Sequence, residues 1–172
     1  MTIYFDGAGM KAEALAQKQF NGVLATEKRH QYKDIDLFVK GKDKKWRSVS
    51  IKDQLYSSGK YGGVQIETQL TNTRTKATMK GCFYSNEADY YFWRVSIHGC
   101  DSWLVIPCST MKRYVEDNLN TLKTWTTREN TEEKNRAYGR VYDKASGVTI
   151  PVLDLVGLGK VIAVSKGEVG SV

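Results

Sequence analysis

Two extended segments joined by a short basic turn constrain this chain more than any other part of it. Asp34–Lys40 is rich in Ile, Leu, Phe and Val, Gly41–Lys45 reads as a turn, and Trp46–Gln54 reads as a second strand. Side chains alternate along a strand, so Asp34 and Asp36 share one face. Ser50 and Lys52 share a face of the following strand, while Val49 and Ile51 point the other way. A tight turn makes the two strands neighbours and brings Asp36 toward Lys52. A lysine at the inner end of an otherwise apolar strand is costly unless something pairs with its charge. The pattern therefore describes either an active centre or a structural Asp–Lys pair at a sheet edge.

The remaining segments supply the frame. A short strand at Thr2–Phe5 and a turn at Asp6–Gly9 precede a helical pattern from Met10 to about Leu24, with Met10, Ala14, Leu15, Phe20, Val23 and Leu24 inward. Glu13 and Gln17 lie on the other face, one turn apart. Leu55–Gly63 reads as a Tyr/Ser/Gly loop, and Val64–Leu70 alternates, with Gln65, Glu67 and Gln69 on its polar face. Ala88–Ile97 and Ser102–Ile106 are strands around a turn at His98–Asp101. Tyr90–Trp93 is a consecutive aromatic run, half of it expected in the core. A helix begins at Ser109 or Thr110 and runs to about Leu122, with Met111, Tyr114, Val115 and Leu119 inward. Thr124–Arg140 is polar, Val148–Leu155 and Val161–Val164 add strands, and residues 166–172 form a frayed tail. The fold class expected is α/β (α+β), a central mixed or antiparallel sheet flanked by an N-terminal helix and one or two further helices.

At 172 residues one domain spanning residues 1–172 is expected. The net charge of +7 favours a polyanionic partner. Lys42, Lys44, Lys45 and Arg47 crowd the hairpin turn as candidate phosphate contacts, and Lys60 sits before Gly62-Gly63, where backbone amides could approach a phosphate. Three cysteines without CxxC spacing argue against a disulfide framework or zinc knuckle and for a reducing compartment. No apolar run reaches the roughly 20 residues of a membrane span, and the first residues lack a secretory pattern, so a cytoplasmic protein with no membrane partner is expected. No P-loop, GxGxxG or HExxH sequence occurs, and no Ser-His-Asp or Cys-His set is discernible.

A helix bearing Glu13, then Asp36 within Tyr32–Phe38, a turn, and Val49-Ser50-Ile51-Lys52-Asp53-Gln54 resembles the PD-(D/E)XK, or restriction-endonuclease-like, nuclease superfamily. The resemblance covers the chain as far as Leu70. It implies a Mg²⁺-dependent DNA endonuclease, Mn²⁺ substituting, with DNA as partner and a possible homodimer. Asp36 would be the central metal ligand. Lys52 would orient or deprotonate the attacking water, Glu13 would be an outer ligand with Gln17 behind it, and Gln54 would contact the substrate. Ser50 departs from the pattern, because the family carries an acid there. Three replacements are open: Asp53 across a bulge, the Ile51 carbonyl with a water, or Glu67 from the next strand, the preferred one. The following Tyr/Ser/Gly loop is a second departure, since such folds often run into a helix. A non-catalytic DNA-binding or interaction module on the same scaffold is the alternative function.

Overall fold

The computed structural model describes residues 7–126 and 144–165, with side chains from residue 11 onward. The expected Thr2–Phe5 strand, the tail from Lys166 and most of Thr124–Arg140 lie outside those residues. Helix α1 (Gly7–Phe20) is followed by β1 (Val23–Leu24), α2 (Lys28–Tyr32), β2 (Leu37–Lys40) and β3 (Trp46–Asp53). The α1 helix begins within the expected Asp6–Gly9 turn. It stops earlier than its apolar pattern suggests, because Asn21 turns into the left-handed region (φ 49°) and Val23–Leu24 pairs with β2. Its inward stripe is also rotated. Ala12 and Ala16, four residues apart, face the sheet with no exposure, and Ala14 lies outward between them.

Next come α3 (Leu55–Tyr61), β4 (Gly63–Thr71), β5 (Thr78–Lys80), α4 (Cys82–Ser85), β6 (Tyr90–Ile97) and β7 (Cys100–Pro107). The described chain ends with α5 (Cys108–Asn118), β8 (Lys123–Thr126), β9 (Lys144–Pro151), α6 (Val152–Val156) and β10 (Lys160–Ala163). One sheet runs β1-β2-β3-β6-β7-β10 and a second runs β5-β4-β9-β8. Among the described strands every pairing is antiparallel except β3 with β6, so the fold is mixed α+β with a mixed central sheet. The β6–β7 turn is closed by His98 (φ 50°) and Gly99 (φ 79°), two successive positive φ angles as a tight hairpin requires.

Both faces of the first sheet are covered. On one, α1 packs over Leu37, Val49, Ile51, Phe92 and Trp103, with Phe20 edge-on to Phe92 at 4.8 Å. On the other, β4 and β9 of the second sheet, with α5 and α6, bury Val64, Ile66, Tyr91, Trp93, Met111, Ile150 and Leu155. This double cover corrects the expectation that half the aromatic run faces outward: Tyr91, Phe92 and Trp93 are all buried. Two other expectations change. Leu119, placed inward from its spacing, is 40% exposed just past the end of α5. Residues 152–155 form the start of a helix rather than the end of a strand.

Helix α3 replaces the expected Leu55–Gly63 loop. The Ser58 hydroxyl donates to the Gln54 carbonyl (2.7 Å) and accepts the Ser96 amide N–H of β6 (2.8 Å), docking the helix on the sheet. Gly62 ends it in the left-handed conformation (φ 70°). At Gly63 a side chain would meet Thr149 and the Ile150 carbonyl within 3 Å. Both glycines thus have structural reasons for being where they are.

Candidate active site

The approach to β2 sets the site. Asp34 sits not in a strand, as its alternation with Asp36 suggests, but in a left-handed turn (φ 57°) after α2, a conformation aspartate tolerates. The turn aims its carboxylate across to β3. There it pairs with the Lys52 ammonium at 2.6 Å and accepts the Ser50 hydroxyl and the Asn86 side-chain amide, each at 2.9 Å. Asp34, rather than Asp36, is therefore the partner of Lys52. Ser50 and Asn86 are buried polar residues, and this carboxylate satisfies both. Nothing in the sequence singles out Asn86 beyond its being a polar residue ahead of a strand.

Asp36 does different work. Its amide donates to the Val49 carbonyl, and one carboxylate oxygen accepts the Ile51 amide N–H at 2.7 Å. Its other oxygen accepts no hydrogen bond from the described residues. Burial raises the Asp36 pKa to about 6, opposed by the Lys52 charge and the Ile51 amide and reinforced by the Asp34 and Glu13 carboxylates. Glu13, half-buried on α1, is also raised by burial and opposed by Lys52. Helix α1 thus brings Glu13 into the electrostatic field of both Asp36 and Lys52, and no described residue donates a hydrogen bond to it.

Lys52 is about one quarter exposed. Burial works against its charge, but Asp34 and Asp36 outweigh it, and its pKa lies above the ordinary lysine value. The ammonium therefore stays charged at neutral pH. Cys82 lies near enough to feel Lys52, yet desolvation pushes its thiol up to about 11, so it is no thiolate nucleophile.

The candidates for the missing acid separate clearly. Asp53 continues the regular β3 register without a bulge, on the opposite face, and takes part in an ion-pair group with Arg94 and Asp101 (3.4 and 2.6 Å from the guanidinium). Glu67 does not arrive on a strand paired beside Lys52, because β4 belongs to the second sheet. It instead lines a cleft between the sheets that Lys52 and Gln54 also line, and it accepts the Cys82 amide N–H at 3.2 Å. Among the described residues no group of three or more His, Cys, Asp and Glu side chains is gathered as a metal cluster. Asp36 and Glu13 each keep carboxylate oxygens that accept no hydrogen bond from the described residues, and these two would be the ones to hold a Mg²⁺ ion if one binds.

The proposed phosphate contacts are spread out. Lys42, Lys44 and Lys45 are exposed at the hairpin tip, and Arg47 is tied to Asp43 at 2.8 Å. Trp46 and Lys52 stand near opposite ends of β3, roughly 20 Å apart at the rise of an extended chain. Gln54 caps the entry to α3 and accepts the Gln65 amide N–H at 3.2 Å. Lys60 lies over Tyr56 and Tyr61 on the outer side of α3. No helix among the described residues is long and apolar enough to cross a membrane.

No family model matches the sequence, and no curated protein matches it. Among solved structures, the chain is similar to that of a bacterial homing endonuclease. The likeness has 17% identity and a TM-score of 0.44, over 62% of this chain and 71% of that one.

Proposed function

We propose that this protein is a metal-dependent DNA endonuclease whose active centre is Asp36, Glu13 and Lys52. The observation that carries the reading is a buried carboxylate, Asp36, with its pKa raised to about 6, lying in the fields of a second carboxylate and a charged lysine. Perturbed acids grouped with a specific charge partner mark sites of chemistry more often than surface ion pairs do. In hydrolysis a water oxygen adds to phosphorus and one P–O ester bond breaks, leaving a hydroxyl and a phosphomonoester. Asp36 and Glu13 would hold Mg²⁺, which supplies Lewis-acid polarisation of the phosphoryl oxygen and a more acidic water. Lys52, held charged by Asp34, acts as a fixed cation beside the scissile phosphate and orients the water. It does not serve as the base, because its proton is too tightly held. Asp34 and Ser50 position that cation, so the serine stands where the lysine is anchored rather than where metal is bound.

Purified protein with Mg²⁺ or Mn²⁺ should nick or linearise supercoiled plasmid, and EDTA, Lys52→Ala or Asp36→Asn should abolish this. Intact plasmid, linear duplex and single strands across both metals would refute the reading. The Asp34–Lys52 pairing favours a second reading, a DNA-binding module without catalysis. In that case binding would be salt-sensitive, metal-independent and preserved in Lys52→Ala.

A further inference from the structure

The cleft between the two sheets is built unlike a simple packing gap. Its volume is about 250 Å³. Lys52 and Trp93 are cross-strand partners on β3 and β6 and share its wall. Phe83 from α4 and Trp125 from β8 add aromatic surface. The Trp93 indole is 2% exposed, and its Nε1–H meets no acceptor among the described residues. A buried donor left unpaired is uncommon in folded proteins, and an acceptor brought by a ligand would satisfy it.

The polar groups on the rim alternate in kind. Gln54 spends its carbonyl oxygen on the Gln65 amide, which leaves its NH₂ group to donate. Glu67 accepts the Cys82 amide and is also bonded by the Cys82 thiol, and a carboxylate, with about four lone pairs, still has capacity to accept. A phosphate would be repelled by Glu67, so the cleft favours a neutral, flat group with both donors and acceptors on its edge. A nucleobase has that chemistry. Roughly 150 Å³ is enough for a six-membered aromatic ring, so the cleft has room for a base.

We propose that this cleft receives one DNA base extruded from the helical stack, next to the phosphate that Lys52 faces. The proposal rests on the endonuclease reading for its substrate and adds that an unpaired or easily unpaired nucleotide is preferred. Aromatic walls would stack on the base, while Gln54, Glu67 and Trp93 would read its edge. Glu67 then acts in recognition rather than as the replacement metal ligand.

The test compares two fluorescein-labelled duplexes by anisotropy, in EDTA so that cleavage plays no part. One carries a single bulged nucleotide, and the other carries an abasic residue in the same bulge, so only the base differs. The bulged base should bind about tenfold more tightly than the abasic bulge, as one stacked base allows. Cys82→Phe, which crowds the cleft beside Lys52, should erase that difference while abasic-bulge affinity and the thermal midpoint persist. Trp125→Ala, which removes a wall together with the indole bond to the Val148 carbonyl, should erase it at a lower thermal midpoint while abasic-bulge affinity persists below that midpoint. Equal affinities in the unaltered protein, or a preference that survives both substitutions, would overturn the proposal and leave the nuclease reading intact. Failure to bind either duplex would overturn the DNA reading itself, and this proposal with it.

Discussion

Asp34 and Asp36 are two residues apart yet answer to different physics, and substitutions should separate them. Asp36 loses its proton near pH 4 in an unfolded chain but only at about 6 in the fold. Between those values the native state binds more protons, so its contribution to stability is present below pH 4 and is lost as pH rises through 6. Asp36→Asn keeps an acceptor for the Ile51 amide and removes the charge. In metal-free buffer at pH 8 it should be more stable than the unaltered protein by on the order of 3 kcal/mol, and at pH 4 about equal. Denaturant melts at the two pH values decide this; a variant less stable at both would mean Asp36 is not a strained carboxylate. Asp34 presents the opposite case. Asp34→Ala strands the Lys52 charge together with the Ser50 hydroxyl and the Asn86 amide and should cost roughly 3 kcal/mol or more. Adding Lys52→Met should recover part of that loss. A double variant as unstable as the single one would show that charge burial is not what Asp34 relieves.

At the scale of elements, α3 ties the end of the site strand to β6 through one hydroxyl. Ser58→Ala leaves the Ser96 amide without its acceptor and should destabilise by about 1–3 kcal/mol. Faster hydrogen exchange at the Ser96 amide would accompany it, and unchanged exchange would place the anchor elsewhere. This helix also marks the boundary of what could be read from the sequence. Leu55–Tyr61 contains two serines and a glycine, poor helix formers, and its helix is held by packing on a strand far along the chain. The Asp36–Lys52 hairpin was legible because strand alternation and a short turn are local. Asp34's role was not, because a single left-handed residue rotates its carboxylate out of the strand pattern. The position of Glu67 was hidden for a similar reason: β4 pairs with β9, and Gln65 lies opposite Thr149, about half the chain away. Glu13 could be placed on the correct helix even though that helix's buried stripe was misjudged, since i and i+4 neighbours fix a face only when one contact is known.

At the scale of the whole molecule, the endonuclease reading would give the +7 charge and the exposed hairpin tip a part in the path of DNA rather than in its cleavage. The tip is too far from Lys52 for both to meet one phosphate, so Lys42, Lys44 and Lys45 should act on affinity alone. Replacing all three with alanine should flatten the dependence of log affinity on log salt by up to about 3, with the cleavage rate at saturating protein unchanged. An unchanged slope would remove the tip from the DNA interface. The arrangement of strands has a further consequence, for synthesis. The one parallel junction among the described strands joins β3 to β6, and the second sheet closes only when β9 meets β4. A chain emerging from a ribosome therefore displays the Trp46–Asp53 strand with an open edge until Tyr90–Ile97 follows, and the cleft wall stays unmade until Lys144–Pro151 is out. Such long-range closures slow folding. The candidate site residues lie in the first third of the polypeptide but are brought together only after most of it exists, so a truncated product carries them without the site that would use them.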